Sequence, residues 1–186
     1  MDILGQPMSS GTRQVSRSAF SLLFAEIFQY CQQRVVDAAD LEEKLKEMGH
    51  NVGFRMTNLI VLRNRPRKRD TTAVAVLQFI TTTCWKTFYG KETSQLQRSK
   101  NEGEYYIYEN DPVTNMYISV PKELQGRLNC ASFNAGLIRG LLAALQFPAQ
   151  VRAVVPQSDK PEERNTTVVY VVQFEASVVA REQQRK

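Results

Sequence analysis

Apolar residues recur with a helical period along the first half of the chain and alternate with polar residues, as in strands, along much of the second half. The helical spacing predicts four helices, over residues 16–35, 37–48, 52–62 and 71–89. The alternation predicts four strands, over residues 104–110, 115–120, 150–155 and 166–174. A helix lies between the two pairs of strands, and a polar one follows the last strand. Helices and strands are segregated, which predicts an α+β fold: a four-stranded antiparallel sheet, made of two hairpins, with helices packed on one side.

The central helix, predicted over residues 128–148, has two distinct stripes. The apolar stripe contains Leu137, Ile138, Leu141, Leu142 and Leu145. The other stripe contains only small residues: Ser132, Gly136, Gly140 and Ala144. Because glycine inside a helix costs about 1 kcal/mol relative to alanine, this stripe predicts that another backbone packs very close to it. Asn129 is predicted as the N-cap and Pro148 as the stop. Three polar residues, Asn134, Arg139 and Gln146, disfavour a membrane span here.

The first two helices carry a strongly apolar face. Four of its residues are predicted on the first helix and two on the second: Phe20, Phe24, Ile27, Phe28, Leu41 and Leu45. Either this face is part of the core, or it contains a partner interface, since so many large apolar side chains can exceed what one small domain covers. Gly49 is predicted to end the second helix, which places the lone histidine, His50, in a surface turn.

The net charge of +5 comes from one short run. Residues 63–69 (RNRPRKR) contain five basic groups and no acid: Arg63, Arg65, Arg67, Lys68 and Arg69. A general nucleic-acid-binding protein spreads its charge over a face or stripe, so this local run argues against nucleic acid as a partner. Pro66 and like-charge repulsion predict a loop. The loop is solvated, or it contacts an acidic partner or an anionic membrane surface, where each basic group near the lipid adds about 1 kcal/mol.

Composition and motifs favour a non-enzymatic protein of the cytosol. The three cysteines lie far apart in apolar segments, which predicts reduced, buried thiols. Residues 1–15 show no apolar signal sequence and are predicted to be a flexible tail before a single domain over residues 16–186. The sequence contains no phosphate loop, nucleophile motif or paired metal ligands, so we expect no catalytic residue, cofactor or metal. An assembly subunit and a carrier of a small hydrophobic ligand are the two alternatives.

Three segments resemble one known family nearly word for word. They are residues 85–92 (WKTFYGKE), 117–123 (YISVPKE) and 128–136 (LNCASFNAG). Their order and spacing extend the likeness over about residues 16–183. The chain thus resembles the small core subunits of the transport protein particle, the TRAPP tethering complex, and most closely the subunit 5 type.

This resemblance implies a scaffold role. The family builds an elongated cytosolic complex that acts between the endoplasmic reticulum and the Golgi, tethers vesicles and serves as exchange factor for a Rab GTPase. The implied partners are other TRAPP subunits, including a paralogous acylated small subunit that pairs through the first two helices, and the Rab GTPase through the assembly. The implied location is cytoplasmic, with peripheral contact to Golgi and endoplasmic reticulum membranes.

One position departs from the acylated paralogue. The cysteine that carries its palmitoyl chain would fall near Asp70, and no cysteine lies between Cys31 and Cys84. The covalent lipid is therefore not expected in this chain. The alternative function is a carrier that holds a fatty or prenyl chain in an internal apolar cavity under the central helix.

Replacing Arg65, Arg67, Lys68 and Arg69 with serine should leave the fold intact, because a loop adds little to the core. If the run contacts membranes, the assembled complex should bind anionic liposomes less tightly, and its binding should lose its dependence on salt. Liposome co-sedimentation over a range of salt concentrations measures both effects. Identical binding before and after the substitution would assign the run to a solvated loop.

Overall fold

Four strands form one antiparallel sheet in the computed structural model, which describes residues 15–64, 70–118, 128–156 and 166–184. The strands are β1 (Gln95–Arg98), β2 (Glu104–Glu109), β3 (Ala149–Val154) and β4 (Val168–Phe174). Their spatial order is β1-β2-β4-β3, so two hairpins meet at the central β2–β4 pair. The predicted fold class is confirmed, with helices packed on one side of the sheet.

The helices of the described residues occupy both halves of the chain. They are α1 (Arg17–Gln32), α2 (Ala38–Arg63), α3 (Ala73–Phe79), α4 (Trp85–Tyr89), α5 (Ser132–Ala144) and α6 (Ala176–Gln183). A π-helical segment, Ile80–Cys84, joins α3 to α4, so the helix predicted over residues 71–89 is confirmed. A short 3₁₀ turn, Val113–Asn115, follows β2. Residues 1–14 lie outside the described part, and the division into a tail and a single domain stays a prediction.

The main core lies between the sheet and the helices. Alternate residues of β2 and β4 share the inner face, where Ile107 lies opposite Tyr170 and Tyr105 lies opposite Val172. These side chains belong to one buried cluster with residues of α3, α4 and α5. Helix α5 lies between the sheet and α2, which explains why nine of its 13 positions are buried.

Helices α2 and α5 cross with their backbones in direct contact. A Cβ atom on Gly136 would lie 1.9 Å from the carbonyl oxygen of Lys46, and one on Gly140 would lie 2.2 Å from that of His50. From the other side, two glycines of α2 meet carbonyl oxygens of α5 in the same way. Any side chain at these positions would force the helices apart. The close approach of another backbone to the small-residue stripe, predicted from the sequence, is confirmed.

The prediction of separate helices over residues 37–48 and 52–62 was wrong, because α2 is one unbroken helix. Gly49 does not end a helix: both Gly49 and Gly53 lie inside α2, where their missing side chains admit α5. His50 consequently lies on the helix and not in a turn. A glycine that a helix needs for close packing has the same sequence signature as one that ends the helix.

The strand prediction was wrong at two places beside β2. Residues 91–103, where the sequence analysis predicts no strand, contain β1, an edge strand in which Leu96 is the one apolar residue. Residues 115–118 do not form the predicted return strand, since the 3₁₀ turn occupies this part of the chain; residues 119–120 lie outside the described part. Both edges of β2 are already paired, one with β1 and one with β4, so no edge is open to a return strand.

The ends of α5 also differ from the predicted ones. Asn129 lies before the first residue, and its side-chain oxygen accepts the Ala131 amide hydrogen at 3.0 Å. The helix ends at Ala144, before Pro148, and the chain then turns through Gln146 with a φ of 67°.

Gly140→Ala should destabilise the fold, although alanine is the better helix former by about 1 kcal/mol. The added methyl group overlaps the backbone at His50, and overpacking of this kind costs about 1–3 kcal/mol. Calorimetry should show a lower melting temperature for Gly140→Ala and a larger loss for Gly140→Leu. Arg139→Leu is the control, because Arg139 is partly exposed and should tolerate the change. An unchanged melting temperature in Gly140→Leu would contradict the close crossing.

Candidate interaction surface on the first helix

The six apolar residues predicted as a partner interface come together at the corner between α1 and α2. Four are buried inside the chain itself: Phe24 is 2% exposed, Phe28 8%, Leu41 2% and Leu45 0%. Phe20 and Ile27 are partly exposed. The four buried side chains form a second hydrophobic cluster with the segment after residue 128. The corner is therefore a core in its own right, and contact of any of the six residues with a partner stays a prediction.

An apolar ridge of α1 lies at the edge of this second cluster, against which its middle residue, Ile27, packs. Leu23, Ile27 and Tyr30 are spaced by four and three residues, which places them on one side of the helix. Leu23 is 59% exposed and Tyr30 is 55% exposed. The guanidinium carbon of Arg34 lies 3.6 Å from the centroid of the Tyr30 ring. Exposed large apolar side chains beside a polar rim are typical of a protein–protein interface.

In the first half of α2 the exposed side is mostly charged. Its charged residues are Asp40, Glu43, Lys44 and Glu47. Sequence reasoning predicted Leu41 and Leu45 on the interface and did not single out Tyr30. The helical period identifies one apolar stripe, but it cannot tell which edge of that stripe the rest of the chain covers.

Contacts with three elements hold α1 in place. The single proton of the Ser21 hydroxyl is shared between the carbonyl oxygen of Arg17, one turn earlier in α1, at 2.9 Å and that of Val113, in the 3₁₀ turn, at 3.2 Å. The Phe20 ring meets the Tyr89 ring of α4 edge-on, with centroids 6.0 Å apart. The Phe24 ring contacts α5 in the same manner. The position of the ridge therefore depends on the 3₁₀ turn, α4 and α5, in addition to α2, with which α1 shares the second cluster.

A buried carboxylate lies behind these contacts. Glu109, the last residue of β2, is 1% exposed. Three side chains donate hydrogen bonds to it: Trp85 Nε1 at 3.0 Å, Tyr170 Oη at 2.6 Å and Asn134 Nδ2 at 3.3 Å. Tyr89 in turn donates its hydroxyl hydrogen to Asn134 Oδ1 at 2.6 Å. The network joins the sheet to α4 and α5 and ends at the ring that supports α1.

Both tyrosines of the network are held in the protonated form. Burial raises the pKa of Tyr170 and of Tyr89 well above the usual value, and the negative charge of Glu109 raises each pKa further. Their hydroxyls therefore stay hydrogen-bond donors. Sequence reasoning missed this network. The available signal was polar residues at positions that the pattern predicts to be buried. Glu109 follows Tyr105 and Ile107 on the inner face of β2, and Asn134 is a polar residue within the apolar pattern of α5.

All three cysteine thiols are buried, as the sequence predicts: Cys31, Cys84 and Cys130. Burial raises the pKa of Cys130 to about 12, and the negative charge of Glu42 contributes. Acylation and disulfide exchange proceed through the thiolate, so we expect this thiol to be unreactive in the folded chain.

Two surface pockets are formed by described residues. One, with a volume of about 620 Å³, lies at the α1–α2 corner beside Val35 and Leu128. The other, of about 340 Å³, lies between the start of α3, β2 and α6 beside Ala73, Tyr105 and Val178. Neither is the predicted cavity under the central helix, where the large side chains of α5 are themselves part of the buried core cluster.

Other predicted features are only partly covered by the described residues. Arg63 is the exposed last residue of α2, whereas Arg65, Arg67, Lys68 and Arg69 lie outside the described part, so their role stays a prediction. Across the described ranges, no group of three or more histidine, cysteine, aspartate or glutamate side chains is arranged to hold a metal ion. Among the helices described, none is long and apolar enough to cross a membrane.

The described chain is thus an α+β protein that exposes an apolar ridge on its first helix. Its residues 20–175 match the family of transport protein particle (TRAPP) components. The chain is 39% identical over 181 residues to trafficking protein particle complex subunit 5 of Gallus gallus, which covers 97% of this chain and 91% of that one. It is 42% identical over 154 residues to the subunit 5 of Dictyostelium discoideum, covering 82% of each. The chain belongs to the TRAPP component family, and the resemblance to the subunit 5 type is confirmed.

A solved structure shares the fold. It is the crystal structure of trafficking protein particle complex subunit 3 from Naegleria fowleri, covalently bound to palmitic acid, and it matches with a TM-score of 0.69. The match covers 86% of this chain and 95% of that one at 17% sequence identity. At this identity the likeness concerns the fold, which agrees with the α+β architecture described above.

We expect none of the three thiols to react with an aromatic disulfide reagent in the folded protein at pH 8. Each thiol is buried, and the raised pKa of Cys130 keeps it protonated at that pH. In denaturant all three should react at once, and absorbance of the released thiolate measures both rates. Fast reaction of one thiol per chain under native conditions would contradict the buried placement.

Proposed function

We propose that this chain is a non-enzymatic core scaffold subunit of the TRAPP vesicle-tethering complex in transport from the endoplasmic reticulum to the Golgi. In this role it contributes to an assembly that acts as exchange factor for a Rab GTPase. One observation carries the proposal: the family match over residues 20–175, with relatives named subunit 5 that align with most of the chain. Because those relatives are named as subunits of a complex, they support a function through association and not through catalysis.

The proposed partners are other TRAPP subunits, among them a paralogous acylated small subunit. Subunit 3 fits this description, since a solved subunit 3 carries covalent palmitic acid and shares the fold of this chain. Two chains of one fold can pair through equivalent helices in a pseudo-symmetric manner. The Rab GTPase is reached through the assembly. The chain is cytoplasmic under this proposal and contacts Golgi and endoplasmic reticulum membranes peripherally.

The apolar ridge of α1 is the side proposed for this pairing. Leu23 and Tyr30 are more than half exposed in the single chain, and a partner would cover them. Fully burying one large apolar side chain is worth about 1.5–3 kcal/mol, so a few such residues favour a stable pair. The buried Phe24 and Phe28 support the ridge from inside. We expect the isolated chain to be poorly soluble and the co-expressed pair to be stable.

A carrier of a fatty or prenyl chain is the second candidate, supported by the palmitic acid of the subunit 3 structure. In this chain all three thiols are buried and Asp70 stands near the position of the acylated cysteine, so any lipid would be held without a covalent bond. Intact mass spectrometry and lipid extraction of protein purified from cells separate the two functions. A chain at its sequence mass with no extractable lipid would exclude the carrier.

Leu23→Asp should abolish pairing with the subunit 3 paralogue of the same organism, because it places a charge in an apolar interface. The fold of the single chain should not change, since Leu23 is 59% exposed. Co-purification of the co-expressed chains measures pairing, and circular dichroism measures the fold. Leu22→Asp is the matched control: Leu22 is 56% exposed but lies about 100° away around the helix.

Phe28→Asp gives a different outcome. Phe28 is 8% exposed, so a buried charge should unfold the α1–α2 corner and remove pairing only as a consequence. If Leu23→Asp pairs as tightly as the wild-type chain, the proposed docking surface is wrong. The family assignment does not depend on that result.

A further inference from the structure

The environment of Glu109 supplies hydrogen-bond donors to its carboxylate. Among the described residues it is the one buried side chain that carries a charge. Its donors are uncharged and come from three different elements: Trp85 from α4, Asn134 from α5 and Tyr170 from β4. A buried charge is costly unless hydrogen bonds replace its water, so these three donors determine where the carboxylate lies.

The chemistry of the donors requires a carboxylate at this position. A carboxylate only accepts hydrogen bonds, and it can serve several donors at once. The amide of a glutamine would turn two N–H groups toward a site that donors already surround, which leaves buried groups unpaired. We therefore expect this position to accept glutamate and to disfavour glutamine, although the two side chains have nearly the same size.

Two routes lead from Glu109 to α1. Along the first, Asn134 accepts the hydroxyl hydrogen of Tyr89, and the Tyr89 ring lies edge-on to Phe20 of α1. Along the second, the chain continues from Glu109 to Val113, whose carbonyl oxygen accepts the Ser21 hydroxyl of α1.

Side-chain hydrogen bonds fix the segment between Glu109 and the 3₁₀ turn, which forms the second route. Lys91 Nζ donates to the carbonyl oxygens of Asn110 at 2.7 Å and Asp111 at 2.8 Å, which fixes the chain between Glu109 and the 3₁₀ turn. Asn134 also lies 3.5 Å from Thr114 Oγ1, at the limit of a hydrogen bond. Two of the contacts that hold the N-terminal half of α1 therefore start from the same buried group.

We propose that Glu109 is a positioning residue for partner docking: through Asn134 and Tyr89, and through the 3₁₀ turn, it holds α1 in the orientation that presents the Leu23–Tyr30 ridge. The effect on pairing with subunit 3 rests on the proposed function. The placement of α1 itself is a property of the single chain and can be measured without a partner.

The test of placement uses Tyr89→Phe in the full chain. This variant keeps the ring that contacts Phe20 and removes only the hydrogen bond to Asn134. Loss of one such hydrogen bond should speed amide hydrogen exchange in α1 by about tenfold while β4 and α5 keep their rates. Tyr108→Phe is the matched control, because its hydroxyl donates to Gln97 on the outer face of the sheet. It should leave α1 unchanged.

Two exchange results would overturn the placement. The first is unchanged α1 exchange in Tyr89→Phe. The second is an equal increase over the whole chain, which shows a general loss of stability and no specific hold on α1. Glu109→Gln should increase α1 exchange further than Tyr89→Phe does. If Glu109→Gln does not fold, the α1 exchange rate of Tyr89→Phe alone decides whether the network positions α1.

The test of docking measures dissociation of the pair formed with the subunit 3 paralogue. Tyr89→Phe should dissociate about tenfold faster than wild type, and Tyr108→Phe at the wild-type rate. If Leu23→Asp abolishes pairing and Tyr89→Phe has no effect, this inference is wrong and the proposed docking surface stands. If Leu23→Asp pairs normally, the docking surface is wrong, and the exchange experiment alone decides whether Glu109 positions α1.

Discussion

The contact between the backbones of α2 and α5 is the constraint on which the rest of the structure depends. Gly136 and Gly140 lie against carbonyl oxygens of α2, and Gly49 and Gly53 lie against carbonyl oxygens of α5. Because these four residues have no side chain, the two helices approach more closely than larger residues would permit. The opposite side of α5 consequently packs on the sheet. Helix α2 in turn packs against α1 through the second hydrophobic cluster. The conformational cost of four helical glycines is offset by the packing that they allow.

The polar network of Glu109 adds specificity to this apolar framework. Dispersion and burial favour close packing between α5 and the sheet, but they tolerate small shifts of one layer against the other. The carboxylate accepts hydrogen bonds from α4, α5 and β4, and each bond is met only in one arrangement of these elements. The network thus defines the relative position of layers that the glycine crossing brings together, and it extends to two of the contacts that hold α1.

Under the proposed function, the exposed side of α1 is the surface through which the chain associates. The helix uses one side to close the second hydrophobic cluster and leaves Leu23 and Tyr30 exposed. Membership of the TRAPP component family gives this exposed ridge a context, since the relatives are named as subunits of a complex. The physical requirement on such a helix is twofold: its inner side must be fixed firmly, and its outer side must stay available.

Local patterns in the sequence determined the α+β class, the positions of β2, β3 and β4 and the small-residue stripe of α5, because period and turn chemistry act over a few neighbouring residues. Three quoted segments also identified the family. Only the tertiary structure decided that α2 is continuous through Gly49, that the polar segment containing Leu96 is a strand, and that Glu109 lies in the core. Each depends on a partner distant in sequence: α5 for Gly49, β2 for Leu96, and Trp85, Asn134 and Tyr170 for Glu109. The same holds for the ridge, because which edge of an apolar stripe is covered depends on the elements packed against it.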